Sequence, residues 1–219
     1  MSQGVKPAHQ KRSRKTRDKL LKAMEELLLE KDFMDISVAE LAARASVSPA
    51  TIYRRFDRKD GFLPVLFDLY MTRLGEWAQS PEARVDIEKM SLKEALEAMA
   101  ETAWRQLKAQ AHMMRAIDLY GHRHLALMGP QRADFEAATL AAMTALVAYY
   151  QDDISHAEPE TAAHMMAYYI NTIFIERGLY PETGSFTEQP AADAVFVREV
   201  ARFAYGYLTA DSMAKTATP

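Results

Sequence analysis

Two helix start signals stand so close together in the segment 37–59 that they constrain the fold of the whole N-terminal region. Ser37 and Glu40 form the S-x-x-E pattern of a capping box, which predicts that a helix begins immediately after the serine. A second start follows at Ser48 and Pro49, because serine favours the cap and proline the first helical position. Such short helices with a tight turn bury little surface, so the pattern predicts a DNA-reading helix-turn-helix rather than a structural corner.

Charge divides along the chain in a way that agrees with this prediction. The 219 residues carry a net charge of -3. Residues 1–60 hold 14 Lys and Arg against 9 Asp and Glu, which leaves 13 against 21 in the remainder. Since Lys and Arg drive binding to phosphates, a basic head on an acidic body indicates that only the head meets a polyanion. A solvated charged face is the alternative interpretation.

Composition excludes several other classes of protein. The chain contains no cysteine, which excludes disulfide frameworks, thiolate zinc sites and cysteine nucleophiles. No apolar run reaches the roughly 18 residues that span a bilayer, and the polar N-terminus lacks the apolar core of a signal peptide. We therefore expect a cytoplasmic protein with no membrane partner.

Apolar residues recur at helical spacing along most of the chain, and no convincing strand alternation appears. Breaks are expected near Pro81, from Gly121 to Pro130 and from Gly178 to Pro190. The pattern predicts an all-α fold of about nine helices. They are predicted over residues 13–30, from 38, over 49–56, from about 60 to 79, from 92, and over 112–120, 135–150, 159–177 and 190–208. For the fourth helix, Asp57 offers a cap and Asp60 a first-turn acid.

The phrase ISVAELAARA is followed by VSPATIYRRFDRKDGFL, which places Tyr53, Phe56 and Lys59 at a characteristic spacing. Together with the leucine-rich first helix, these residues resemble the tetracycline-repressor (TetR) family of transcription regulators over about residues 13–70. The family often has glycine at two positions that we expect to be tight turns or to have a positive φ. Here these two positions are Asp32 and Ser46.

The resemblance implies the organisation of the whole chain. Residues 1–58 would form an N-terminal arm and a three-helix DNA-binding domain, 59–211 a larger helical effector-binding and dimerisation domain, and 212–219 a tail. It also implies a homodimeric repressor that binds a palindromic operator in double-stranded DNA. A small, largely apolar or aromatic effector would release it from the operator. No enzyme activity and no cofactor are expected. The last two long helices would pair with their copies, although they could instead only close the body's own core. Their apolar stripes are Met166, Ile170, Ile173 and Phe174, and Phe196, Val200, Phe203, Ala204 and Tyr207.

The second helix of a helix-turn-helix enters the major groove with its first residues nearest the bases. Ile52 and Phe56 lie four residues apart and must face inward, which leaves the other faces for DNA. Arg54 or Arg55 could contact guanine, and the sequence does not decide between them. The predicted DNA-binding residues are Ser37, Ser48, Pro49, Ala50, Thr51, Tyr53, Arg54, Arg55 and Lys59.

These residues are expected to divide between bases and the DNA backbone. Pro49 and Ala50 would offer apolar contact to thymine methyl groups. Tyr53, Lys59 and Ser37 would instead bind phosphates, the lysine together with exposed backbone amides near the start of the fourth helix.

The body is rich in methionine and aromatic residues, which suit a pocket for an apolar effector but are more often plain core. The pocket candidates rest on location within the family fold alone. They are Met99, Trp104, Met114, Tyr120, Met143 and Tyr169.

Two other functions are alternatives to a ligand-controlled repressor. A helical-bundle metal enzyme would carry two Glu-x-x-His pairs, whereas the nearest approach here is Asp153-x-x-His156. His122 and His124 lie two residues apart, which is poor spacing for joint ligation from one helical face. The sequence also leaves open an effector-free DNA-binding activator or architectural protein.

Overall fold

A computed structural model describes residues 7–56, 58–121, 125–181 and 192–210. Over these ranges the chain is helical and contains no strand, which confirms the predicted all-α fold. Short 3-10 helices cover Phe33–Asp35, Lys59–Gly61, Pro81–Ala83 and Ile87–Lys89. The nine α-helices of the described ranges are α1 (Pro7–Leu28), α2 (Val38–Arg44), α3 (Pro49–Tyr53), α4 (Phe62–Ala78), α5 (Leu92–Ala109), α6 (Ala111–Gly121), α7 (Leu125–Tyr149), α8 (Pro159–Leu179) and α9 (Asp193–Thr209).

Capping boxes begin α2 and α5, as the sequence predicts. The Ser37 hydroxyl accepts from the backbone N–H of Glu40 at 3.1 Å, and the Glu40 carboxylate accepts from the backbone N–H of Ser37 at 2.9 Å. Ser91 and Glu94 repeat this exchange at the start of α5. Each box satisfies two backbone donors that a helix start would otherwise leave unpaired, which fixes where the helix begins.

Other helix ends differ from those predicted. α1 begins at Pro7 rather than at residue 13, since proline suits the first helical position. α7 begins at Leu125 and continues through Gly129 and Pro130, where the sequence predicts a break. A proline removes only one helix hydrogen bond, a loss that this 25-residue helix accommodates. The predicted caps or starts at Asp57 and Pro190, the tail 212–219, His122 and His124 lie outside the described residues.

The chain divides into two compact units. Unit 1 consists of the described residues of Met1–Tyr70 and His112–Gly129, and unit 2 of those of Met71–Ala111 and Pro130–Pro219. Packing therefore groups α6 with the helix-turn-helix segment, and the first stretch ends at Tyr70 instead of residue 58. The boundary predicted at residue 58 as a division of function stays a prediction.

Three contacts join α6 to the rest of unit 1. The rings of Phe33 and Tyr120 lie 5.3 Å apart. His112 Nε2 lies 3.5 Å from Glu25 Oε1, and Arg115 lies 3.9 Å from Asp32. Met113 and Ile117 of the same helix are buried. α6 is thus an integral helix of unit 1.

Unit 2 has a core in which α5 packs closely on α8 and α9. Trp104 of α5 is buried, with its ring 5.3 Å from Phe174 and 5.1 Å from Phe196. Gly178 allows this approach, because a Cβ at that position would lie 2.7 Å from Leu107 Cδ2. No helix among the described ranges is both long enough and apolar enough to cross a membrane.

Part of the apolar stripes of α8 and α9 packs inside the protomer, whereas the dimer prediction requires both stripes to face a partner. Met166, Phe174, Val200 and Ala204 are buried within the protomer. These four residues therefore close the body's own core, which was the alternative interpretation of the stripes. Phe203, a member of the predicted stripe of α9, is exposed instead. Large apolar residues outside the stripes are exposed as well, namely Met165 and Tyr168 of α8 and Val195 and Tyr205 of α9.

Candidate nucleic-acid interface

The turn between α2 and α3 has the geometry of a Schellman motif. The Ser46 N–H donates to the Ala43 carbonyl at 3.1 Å, and the Val47 N–H donates to the Ala42 carbonyl at 2.9 Å. Ser46 itself has φ of 54°, in the left-handed region that normally takes glycine. The prediction of a positive φ at this position is confirmed. Asp32, the other position considered, has φ of -66°.

The core of unit 1 fixes which face of α3 looks outward. Ile52 is 1% exposed, and the half-buried Phe56 stacks on Phe62 with ring centroids 3.9 Å apart. These two side chains turn inward as predicted. Tyr53 is 57% exposed. The side chains of Pro49, Ala50, Arg54 and Arg55 are exposed as well, so the predicted reading face is accessible.

Three polar side chains form a connected row along α3. Ser48 Oγ and Thr51 Oγ1 lie 3.0 Å apart, and Arg54 donates to Thr51 Oγ1 at 3.3 Å. Ser48 makes no side-chain cap hydrogen bond, so the prediction that its hydroxyl caps α3 is wrong. The Thr51 hydroxyl competes for the serine side chain, while Pro49 already presets the first helical turn. We name Ser48, Thr51 and Arg54 the polar row.

The sequence predicts all three members of the polar row as DNA-binding residues but does not predict the hydrogen bonds that connect them. Their spacing of three residues could have identified it, because residues three apart are neighbours on a helix surface. The row gives Arg54 a hydrogen-bond acceptor that orients its guanidinium before any ligand arrives.

The Lys59 side chain turns into the protein instead of toward the exposed face of α3. Its ammonium donates to the carbonyl oxygens of Phe33 at 2.8 Å, Met34 at 2.9 Å and Ile36 at 3.1 Å. It also lies 4.8 Å from the centre of the Phe33 ring. Burial lowers the pKa of Lys59, against the opposing effects of Asp60 and Asp35.

The expected phosphate contact of the Lys59 side chain does not agree with this arrangement. An ammonium has three hydrogens, and three carbonyls accept from it here. We call this set of three bonds the Lys59 clamp. It connects the start of the α4 region to the segment that leads into α2. The family pattern identified the position of the lysine, but only the folded geometry reveals that its donors are already used.

Ion pairs fix α2 against α1 on the other side of the helix-turn-helix. Arg44 lies 2.9 Å from Glu30 and 3.7 Å from Glu26. Glu40, the capping-box carboxylate, accepts from Lys31, and this bond together with those from Ser37 lowers the Glu40 pKa to about 2. Ser37 is exposed, and its hydroxyl hydrogen stays available because the cap uses the oxygen only as an acceptor.

The predicted effector residues are distributed over both units. Met114 and Tyr120 belong to unit 1, and Met99, Trp104, Met143 and Tyr169 belong to unit 2. The Tyr169 ring stacks on Phe203 at 4.8 Å, and burial raises its pKa. An open cavity of about 470 Å³ in unit 1 contains none of the six. It is lined by Leu27, Glu30, Lys31, Glu40, Ala43 and Arg44.

Metal-ligating side chains do not cluster in the part of the chain that is described. No group of three or more His, Cys, Asp or Glu residues within those ranges has the arrangement of a metal site. The Asp153-x-x-His156 pair, the nearest sequence approach to a di-metal signature, therefore has no third ligand there.

Comparison with protein families gives a match that coincides with this interface. Residues 20–65 match the family model described as bacterial regulatory proteins, tetR family. That range extends from α1 to the beginning of α4 and includes the polar row and the Lys59 clamp. No curated protein matches the chain.

Solved structures with the same fold cover nearly the whole chain. A TetR-family transcriptional regulator from Rhodococcus sp. has a TM-score of 0.61 at 17% identity, over 89% of this chain and 98% of that one. A TetR-family regulator from Marinobacter aquaeolei VT8 has a TM-score of 0.59 at 20% identity, over 91% and 98%. The fatty acid degradation regulator FadR from Bacillus halodurans has a TM-score of 0.59 at 16% identity, over 93% and 97%. At such identities the likeness is one of fold.

Proposed function

Because this chain belongs to the tetR family of bacterial regulatory proteins, we propose that it is a homodimeric transcriptional repressor that a small effector releases from a palindromic operator. DNA-binding transcriptional regulation is the function of the family, and the helix-turn-helix is the part of the chain that matches it. The observation that carries the proposal is the exposed face of α3, where the polar row lies beside accessible apolar residues. Such a face combines donors for base edges with contact surface for thymine methyl groups.

Arg54 is our proposed reader of guanine. Its guanidinium is oriented by Thr51, so less side-chain entropy is lost when it forms a bidentate contact. Pro49 and Ala50 would meet thymine methyls, and Ser48 and Arg55 would lie at the edge of the contact. Tyr53 and the Ser37 hydroxyl would bind phosphates and so fix the register of α3 on the duplex. The Lys59 side chain is not among the phosphate contacts we propose, because its donors are occupied.

Selection of sites from a random duplex library with the full-length protein would test this assignment. On the selected site, Arg54→Ala should relax the base preference at one position by about 1–3 kcal/mol. Thr51→Val, which removes the oxygen that orients Arg54, should relax the same position by a smaller amount. Arg55→Ala is the matched control and should leave that preference intact. If Arg55→Ala relaxes it and Arg54→Ala does not, the assignment is wrong.

The homodimer we propose uses the exposed apolar face of α8 and α9. Tyr168 is 68% exposed and Phe203 61% exposed, and Phe203 stacks on Tyr169, so α8 and α9 together present apolar surface of the kind that marks interaction sites. A two-fold interface would bury this face against its own copy and hold two α3 helices at the separation of two half-sites. Light scattering should show that Phe203→Glu converts a dimer to a monomer, while Ala133→Glu on the exposed surface of α7 changes nothing. A Phe203→Glu protein that stays dimeric would exclude this interface.

We propose that the effector is a small, largely apolar or aromatic molecule that binds the helical body. A regulator of fatty acid degradation shares this fold, which shows that the architecture occurs in a regulator connected with apolar metabolites. Thermal-shift measurements with a panel of acyl and aromatic metabolites should find a compound that raises the melting temperature by mass action. By linkage, that compound must weaken operator binding by the same factor by which operator weakens its own binding. If it binds and leaves operator affinity unchanged, the protein is a DNA-binding regulator that this compound does not control.

A further inference from the structure

The first part of α1, residues 7–19, precedes the apolar core positions of that helix. The helix begins at Pro7, and among its described side chains, which start at residue 14, the first buried one is Leu20. The intervening 13 residues correspond to about 20 Å of helix at the usual rise. Among the described side chains of residues 14–19, all are exposed except Thr16, which is half-buried. No apolar stripe explains why this part of the chain should be a helix.

This segment is also the most strongly basic part of the chain. Residues 11–19 contain six Lys and Arg and one acid, Asp18. Among the described residues, no carboxylate forms an ion pair with Arg14, Lys15, Arg17 or Lys19. Elsewhere in the same unit, Lys31 and Arg44 are paired with glutamates. The exposed cations of α1 are therefore available to an external anion.

Like charges at helical spacing make this part of α1 weaker when nothing neutralises them. Lys15 and Lys19 lie four residues apart, and Arg14 and Arg17 lie three apart. Each such like-charge pair costs a helix a few tenths of a kcal/mol, roughly what an opposite-charge pair contributes. A row of anions along the helix would remove that repulsion and add attraction. The helix therefore fits a partner whose negative charges are themselves regularly spaced.

We infer that residues 11–19 of α1 form a second DNA-contacting element, which binds backbone phosphates without reading sequence. This inference rests on the proposed function, because α3 must bring the same unit to the duplex. Duplex DNA carries one negative charge per about 1.7 Å of its axis, so the roughly 13 Å of helix that these nine residues span can meet several phosphates. The role of this element is to raise affinity and its dependence on salt, while α3 supplies base preference.

The test is the salt dependence of binding to a random-sequence duplex, measured with the full-length protein. The variant carries Arg14→Gln, Lys15→Gln and Arg17→Gln, which keep good helix formers and remove three charges. The matched control carries Arg84→Gln, Lys93→Gln and Arg105→Gln, three exposed cations of unit 2. Each phosphate contact contributes about 0.9 to the slope of log K against log salt concentration. The α1 variant should lose about 2–3 from that slope per protomer, and the control should lose none.

The outcomes separate this inference from the proposed function. A wild-type protein that fails to bind any duplex at low salt would refute both. If the wild type binds and the α1 variant has the same slope of log K against log salt concentration, the α1 element alone is refuted. The basic helix would then be assigned to binding an acidic protein partner. Base preference on a selected site must also stay unchanged in the α1 variant. An Arg14→Lys, Arg17→Lys protein keeps the charges and should retain the wild-type slope, which controls for local effects on folding.

Discussion

Replacing Lys59 by methionine should destabilise the protein without removing a DNA contact. Methionine keeps a flexible apolar stem of similar length but has no donors for the carbonyls of Phe33, Met34 and Ile36. Two of the three bonds are part-buried, and the bond to Met34 is exposed. Taking about 1.5 kcal/mol for each part-buried charged bond and little for the exposed one gives a loss of about 3 kcal/mol.

The measurable form of this loss is the melting temperature. For a chain of this size, about 1 kcal/mol corresponds to a shift of roughly 2–4 °C, so the midpoint should fall by about 6–12 °C if unfolding is a single transition. Lys93→Met, which removes an exposed lysine of α5, is the control and should shift it little. Duplex binding by folded Lys59→Met protein should keep the wild-type salt slope, because no phosphate contact is lost.

The opposite result would assign Lys59 to DNA. A melting temperature within about 2 °C of wild type, together with a salt slope reduced by about 0.9 per protomer, would mean that the ammonium leaves its carbonyls to bind a phosphate. Lys59→Arg separates charge from geometry. A planar guanidinium retains a phosphate contact but does not reproduce three bonds from a single nitrogen, so only the clamp predicts that this variant also melts early.

Three further predictions concern single groups. Glu40→Gln should melt below wild type at neutral pH, and the difference in melting temperature should disappear as pH falls from 4.5 toward 2. The reason is that the lowered Glu40 pKa stabilises the fold only while the carboxylate is charged. Calorimetric melts across that pH range would measure the difference. In denaturant titrations, Gly178→Ala should lower the free energy of unfolding by about 1–2 kcal/mol, because its Cβ would lie 2.7 Å from Leu107 Cδ2. Gly75→Ala, which has open space around it, should raise the free energy of unfolding by up to about 1 kcal/mol. Equal responses of the two variants would contradict the packing argument. Ser46→Gly should raise stability by about 0.5–1 kcal/mol and leave base preference unchanged, since glycine adopts φ of 54° without strain; a loss of stability would mean that the serine is not strained there.

The sequence predicts helices and local caps well because both depend on residues close together in the chain. The capping boxes at Ser37 and Ser91 need only a glutamate three residues later, and both form. The positive φ at Ser46 is implied by the family resemblance, because the family often has glycine at that position. The inward position of Ile52 follows from helical geometry, whereas α3 ends at Tyr53, short of the predicted residue 56, and Phe56 is held inward by stacking on Phe62.

Predictions fail where a side chain chooses between partners that are distant in sequence. Lys59 lies 26 residues from Phe33, and no local pattern announces that its ammonium would bind carbonyls there. The Ser48 hydroxyl has a nearby competitor in Thr51, so a residue suited to capping takes another partner. On α8 and α9, periodicity locates apolar stripes but does not say which faces the core and which remains exposed.

The placement of α6 in unit 1 means that the DNA-binding head cannot be excised as one contiguous fragment. A protein truncated after Tyr70 would keep Phe33 and Glu25 but lose their counterparts Tyr120 and His112. A chimera that exchanged only the first stretch would likewise set a foreign α1 against the native α6. Recombination at a single point therefore cannot give unit 2 a new DNA-binding unit. Any substitution on the inner face of α6 also changes the packing of unit 1.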